Sequence, residues 1–264
     1  MVKRGIPETK AKTAKVKRES KKARVDQGSM DTKTLHVLYC TGNAGKFREA
    51  SHVFDAWNAS EKGKLMRVAY VQVDADPVEI QGDCEAVAYA KVKKAMKILG
   101  NTGVLNEHRK RVGDDGILDV VTEDVSLHLG CLNGFPGPYC KPMLSAIGDG
   151  GLWTLVERYE DKSANVQCTL AACGLDLGLP YSSDIYYSTS THVGTLDGTI
   201  GKPKGNVKHG ATSWNSVFTP TGKTKTFGET PFAEQAKFSH RRTAIMDYLE
   251  QRLIDPDDNS GSGE

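Results

Sequence analysis

The 264-residue sequence predicts an α/β fold: a mixed, twisted β-sheet with flanking helices and a long antiparallel hairpin. Three observations carry this reading. Short apolar runs of strand length alternate with segments of helical period from about residue 33 to residue 254. The first run, Leu35-His36-Val37-Leu38-Tyr39-Cys40, is apolar almost throughout, as a strand buried on both faces must be. Further along, Val166–Ala172 and Ile185–Val193 are β-rich stretches at a spacing that suits a hairpin.

In chain order, the Leu35–Cys40 strand ends in a Gly/Asn turn, and Phe47 to about Ala59 reads as a helix. Val68–Val73 alternates toward a second strand. Between Asp83 and Leu99, the residues Ala88, Val92, Ala95, Met96 and Leu99 recur at helical spacing, with Lys91, Lys93, Lys94 and Lys97 expected off that face. Residues 101–116 are polar and Gly-rich and read as an inserted loop. Ile117–Val121 and Leu127–Leu129 read as two strands around an acidic turn. A helix over 144–159 is expected to break at Gly148-Asp149-Gly150-Gly151. The last helix starts near Ser239, with Ile245, Leu249 and Leu253 on one face.

The ends differ from this body. Residues 1–32 lack bulky apolar residues and periodicity and are expected to be disordered, as is the acidic segment 255–264. Residues 1–25 hold ten Lys or Arg against Glu8 and Glu19. The remainder carries 25 basic and 31 acidic residues, a net of −6. A mildly acidic body argues against a dedicated nucleic-acid surface on the core. Lys15-Val16-Lys17-Arg18 with Lys21-Lys22-Ala23-Arg24 has the look of a two-part nuclear import signal, the alternative being a solubilising or RNA-contacting tail. The expected location is nucleus, cytoplasm or both, with an import receptor as a partner. No stretch approaches the ~20 apolar residues of a membrane span. The six cysteines show no C-x-x-C pair, so neither a zinc site nor a disulfide scaffold is expected.

Chemistry concentrates in a few short segments. Thr41-Gly42-Asn43-Ala44-Gly45-Lys46 lies where a strand hands over to a helix. Backbone N–H groups at a helix start attract phosphate, glycines allow close approach, and Lys46 adds positive charge. It is not a P-loop, and a plain structural turn is the alternative. Glu49, Asp83 and Glu123-Asp124 follow on separate elements. Magnesium takes carboxylates from such positions and completes its shell with water and phosphate oxygens, although isolated acids are more often solvated surface groups.

Taken together, Thr41-Gly42-Asn43-x-x-Lys46, Gln81-Gly82-Asp83, Glu123-Asp124, Gly134-Phe135-Pro136-Gly137-Pro138-Tyr139, Asp161-Lys162-Ser163-Ala164 and Ser239-His240-Arg241 occur in that order. The series resembles the inosine triphosphate pyrophosphatase family across roughly residues 34–253. The resemblance implies two lobes around a nucleotide cleft and hydrolysis of the α–β phosphoanhydride of ITP, dITP or XTP to monophosphate and pyrophosphate. It also implies Mg²⁺, with Mn²⁺ as a substitute, and a homodimer.

By the same resemblance, Thr41, Gly42, Asn43 and Lys46 hold the triphosphate, with Lys162 and Ser163 along the phosphate path. Glu49, Asp83 and Asp124 organise the metal; Asp124 is the general base, with Lys46 and Asp83 also catalytic. Trp214 and Asn215 line the base pocket, where Ser239, His240 and Arg241 donate to a 6-keto oxygen. Ser239 can equally be a plain helix cap, and Trp214 a core residue. Two positions depart from the family pattern. Ser213-Trp214-Asn215 stands where Gly-Trp-Asp is usual, and Gln235 stands where a lysine is usual. A catalytically reduced nucleotide-binding protein of the same fold is the alternative reading.

Overall fold

A computed structural model describes residues 33–254 except 76, 78, 114–115, 176–187 and 206–212. The basic tail, the acidic tail and the start of the expected 185–193 strand therefore lie outside the described residues.

Lys33–Cys40 forms β1, and Asn43 caps the helix α1 (Ala44–Asn58) that follows. A short helix α2 (Glu61–Leu65) leads into β2 (Met66–Val73). Two helices, α3 (Cys84–Asn101) and α4 (Val104–Val112), precede β3 (Ile117–Leu129). The short β4 (Pro136–Gly137) introduces α5 (Cys140–Val156). The antiparallel β5 (Ser163–Leu175) and β6 (Thr189–Ile200) come next, then β7 (Phe218–Pro220), α6 (Phe232–Gln235) and α7 (His240–Ile254).

One sheet runs through the molecule in the order β2-β1-β3-β5-β6-β7. β1 is parallel to β2 and β3, whereas β3, β5, β6 and β7 pair antiparallel. The mixed sheet and the hairpin are thus as the sequence implies. Strand alternation sorts the core into layers. Val37, Tyr39 and Val121 pack with Phe54, Tyr248 and Leu249 beneath α1 and α7. Leu38, Val120 and Cys173 pack with Val92, Ala95 and Leu105 beneath α3 and α4. The far halves of β3 and β5 leave this sandwich and form a second lobe, where Leu127 and Val166 meet Leu144, Leu152, Trp214 and Phe218.

Three expectations need correction. Residues 101–116 are not simply a loop, because Val104–Val112 is helical, bounded by Gly103 and Gly113 at positive φ. Its single buried residue, Leu105, anchors it under α3, so the polarity reflects an exposed face. Residues 117–129 are one strand without an acidic turn. Glu123 and Asp124 sit opposite Leu170 and Thr169 of β5, and both are buried by layers on either side of the sheet. Lys91 does not point away from the core but is buried. The expected break in the 144–159 helix falls at Gly148, which has φ +68. There Asp149 accepts from Ser216 and pins the turn that carries Trp214.

Helix α7 reaches the sheet because Gly194 on β6 has no side chain. A Cβ there would lie 2.0 Å from the carbonyl oxygen of His240 and 2.4 Å from the amide of Ala244. Gly194→Ala should push the start of α7 off the sheet and cost about 1–3 kcal/mol, read as a lower urea midpoint. A midpoint equal to the parent's would show that α7 is not seated by this contact.

Candidate active site

A cleft of about 390 Å³ opens between the two lobes, lined from the start of α1, the middle of β3, the start of α5, the Ser213–Asn215 turn and the starts of α6 and α7. Its size falls in the usual range for small-molecule sites. Because successive strand residues face opposite sides of a sheet, neighbouring Glu123 and Asp124 do different work.

Glu123 faces α1 and α7. Arg241 donates to it twice, Nε to Oε2 at 2.7 Å and Nη2 to Oε1 at 2.8 Å. The third guanidinium nitrogen, Nη1, donates to Glu49. Tyr39 adds a hydroxyl donor at 2.6 Å, and Lys46 Nζ lies 3.3 Å from Oε1. Burial works against ionising Glu123, but Arg241, Lys46 and these hydrogen bonds hold its carboxyl far below the usual range. The same carboxylates hold the buried Arg241 charged.

Asp124 faces α3. Lys91 Nζ lies 3.3 Å from its Oδ1 and 2.9 Å from Glu79 Oε1, with Lys141 a further 3.7 Å from the same Glu79 oxygen. Burial raises the pKa of Asp124 against the pull of Lys91 and Lys46. Burial acts the same way on Glu79, but Lys91, Lys141 and Lys46 prevail and lower it. Burial thus prevails at Asp124 and the lysines prevail at Glu79, so the two carboxyls shift in opposite directions.

The structure brings together most of the residues singled out from the sequence. Thr41, Asn43, Lys46, Glu49, Asp124, Trp214, Asn215, His240 and Arg241 all line the cleft, but Gly42, Asp83, Lys162, Ser163 and Ser239 do not. Asp83 is the N-cap of α3, accepting from Ala86 N at 2.8 Å, which is the ordinary use of an Asp at that place. Lys162 donates to the carbonyl of Tyr159, and the amide of Ser163 donates to Asp161, so the segment is a turn into β5. Ser239 accepts from Arg242 N at 3.1 Å and caps α7.

Two residues inside the cleft also differ from expectation. Arg241 has each of its three nitrogens bonded to a carboxylate, so its orientation is set by Glu123 and Glu49 and only two of its five N–H donors are left over. Glu49 faces Arg241 with one oxygen, while its other, Oε1, is buried with no partner among the described residues. The phosphate loop is more self-contained than expected as well. Asn43 Oδ1 accepts from Gly45 N at 2.9 Å and Lys46 N at 3.1 Å, so those amides serve the helix cap and the loop's charge comes from the Lys46 side chain.

Glu79 and Lys91 are among the cleft residues that sequence reasoning missed, as is Lys141. Lys91 carried a signal: it lies three residues after Ala88 and four before Ala95, inside the apolar stripe. A lysine in that position needs buried carboxylates to meet it. Glu79, in a Pro-flanked connection, carried none. Among the described residues no three Asp, Glu, His or Cys form a ready cation cage. Two carboxylates suffice for a hard cation that brings water and phosphate oxygens with it, and Asp124 and Glu79 fit that requirement, with Lys91 between them.

At the start of α7, His240 is buried, its ring 5.6 Å from Trp214 and 6.2 Å from Phe227. Neither ring nitrogen has a hydrogen-bond partner among the described residues. Burial, with Arg241 beside it, pushes the imidazole pKa down to about 3, so it is neutral and presents one donor and one acceptor. Asn215 is fixed through its backbone, its carbonyl accepting from Gly228 N at 2.7 Å. Gln235 is buried and donates its amide to the carbonyls of Phe227 and Thr230, the latter at 2.8 Å.

Comparison with known proteins agrees over the whole of this core. Residues 37–251 match the Ham1 family. The inosine triphosphate pyrophosphatase of Yarrowia lipolytica is 33% identical over 211 residues, covering 80% of this chain and 92% of the relative. That of Batrachochytrium dendrobatidis is 32% identical over 209 residues, 79% of this chain and 90% of the relative. Among solved structures, the Staphylococcus aureus Ham1 protein superposes with a TM-score of 0.57 at 20% identity, over 84% of this chain and 98% of its own, a likeness of fold.

His240 makes the molecule acid-sensitive. Below about pH 6.5 the unfolded imidazole binds a proton that the folded one refuses until about 3, so stability falls as pH drops through that window, by about 1.4 kcal/mol per pH unit. His240→Gln, uncharged throughout, should reduce the stability lost between about pH 6.5 and 5 by ~2 kcal/mol, measured by urea unfolding. An equal loss in both proteins would mean that the buried imidazole already accepts a proton.

Proposed function

The chain belongs to the Ham1 family, and from that premise and the cleft we propose that it is a nucleoside-triphosphate pyrophosphatase for non-standard purine nucleotides such as ITP, dITP and XTP. It cleaves the α–β phosphoanhydride, releasing monophosphate and pyrophosphate, and so removes deaminated purines from the nucleotide pool. The observation that carries this reading is a single cleft holding Lys46, Lys91, Lys141, Glu79 and Asp124 together with the unpartnered, neutral His240. The charged groups suit a triphosphate, and the imidazole suits the edge of a base.

Lys46 and Lys141 bind and orient the phosphate chain, supplying fixed positive charge where negative charge develops. Asp124, raised by burial, accepts the proton of the water that attacks the α-phosphorus. Lys91 keeps that carboxylate oriented before substrate arrives. The enzyme is metal-dependent, and in this reading Asp124 and Glu79 would hold Mg²⁺, or Mn²⁺ in its place, which would supply positive charge against the phosphates. His240 reads the base: its N–H donates to the 6-keto oxygen of hypoxanthine or xanthine. Adenine offers an amino donor there, so the same N–H is left opposed.

With ITP and magnesium, the first products should be IMP and pyrophosphate; IDP and orthophosphate would overturn the reading. Asp124→Asn keeps the shape and removes the base, and should lower kcat by roughly 10²–10⁴-fold. Near-parental turnover would take Asp124 out of the reaction.

The same reading includes a homodimer and nuclear import through the basic tail. Deleting residues 1–29 should abolish nuclear enrichment of a tagged chain without lowering its activity, and sedimentation should give twice the chain mass. An unchanged distribution refutes the import role, and a monomer refutes the dimer.

A further inference from the structure

The cleft holds several aromatic rings, and most of them pack on one another. Trp214 meets Phe218 at 5.4 Å and 83°, His240 at 64° and Phe227 at 5.3 Å, and is 8% exposed. Phe227 is buried beside it. These rings pack on one another in T-shaped and tilted pairs as a largely buried cluster. Phe232, the first residue of α6, is different: it lines the same cleft and is only half-buried.

The cleft also holds two guanidinium groups. Arg241 is held by Glu123 and Glu49 through all three of its nitrogens. Arg48 is exposed on α1, and among the described residues it has no carboxylate within ion-pair reach. Its Cζ lies 4.4 Å from the centre of the Phe232 ring, and the His52 ring, one helical turn on, lies 5.1 Å from it at a tilt of 42°. A planar cation over an aromatic ring, open to solvent and on the rim of a cleft, is a surface on which flat π-systems stack.

We propose that Arg48 and Phe232 form the stacking platform for the substrate's base and make the enzyme selective for the larger purine ring over pyrimidines. The inference rests on the pyrophosphatase reading and adds residues to it that recognise the ring's face, where His240 recognises its edge. Arg48, Phe232 and Lys46 line the same cleft, so a ligand whose phosphates lie at Lys46 shares that cleft with this pair.

The alternative for a cation so placed is a phosphate contact, and a ligand without a base separates the two. Calorimetric binding of ITP, IMP, UTP and inorganic tripolyphosphate to the full chain, parent and variants, is the test. Phe232→Ala and Arg48→Gln should weaken ITP and IMP by roughly 5- to 150-fold, as loss of one base stack does. Tripolyphosphate binding should stay within about twofold in Phe232→Ala, the ITP-over-UTP preference should shrink, and Phe232→Trp should restore it. In turnover, the KM for ITP should rise with kcat nearly constant. Equal weakening of tripolyphosphate and ITP would overturn the proposal in favour of a charge or packing role. Unchanged ITP binding in Phe232→Ala, with the parent cleaving ITP normally, would overturn it and leave the pyrophosphatase reading standing. A parent chain that binds tripolyphosphate and no nucleotide in preference to it would overturn both.

Discussion

A guanidinium group cannot be buried alone, and the placement of Arg241 governs much of this molecule. Its two bonds to Glu123 and one to Glu49 join the start of α7 to β3 and α1, and the Tyr39 hydroxyl brings in β1. Removing one member of such a set strands a buried charge, typically at a cost of about 3–5 kcal/mol. The set also has geometric consequences. With Glu123 held on the α1/α7 side, the next residue must face α3, and that residue is Asp124. With Arg241 fixed, His240 before it is packed against Trp214 and Phe227.

The two faces of the sheet are each nearly neutral around the cleft. On one side Arg241 and Lys46 balance Glu123 and Glu49; on the other Lys91 and Lys141 meet Asp124 and Glu79. A bare triphosphate would upset that balance, whereas one carrying a divalent cation brings much less net charge. Lys91 and a cation would both neutralise the Asp124–Glu79 pair, which explains how two carboxylates can face one cleft without either being driven fully protonated.

The sequence made the fold more legible than the site. β1, α1, α3 and α7 were readable because buried strands and amphipathic helices impose periods that survive in the residue order. The 117–129 strand was misread because Thr122, Glu123 and Asp124 are polar, and a polar run inside a strand looks like a turn until its buried partners are known. Those partners, Arg241 and Lys91, are 118 and 33 residues away. Motif order pointed to the Thr41–Lys46 turn, Asp124 and His240, which reach the cleft. It also pointed to Asp83, whose carboxylate caps its own helix, and passed over Glu79, a few residues earlier. Local caps and distant ligands use the same residue types, and only the folded arrangement separates them.

The continuity of β3 has a mechanical consequence. The strand crosses from one lobe to the other without a break, and β5 runs beside it from Leu118 opposite Leu175 to Leu129 opposite Ala164. Two lobes that share such a paired ribbon are joined by a hydrogen-bonded ladder and not by a loose loop, so any change of angle between them is spread along the ribbon as twist. Asp124 sits within that ladder, opposite Thr169, and its position in the cleft follows the ribbon itself.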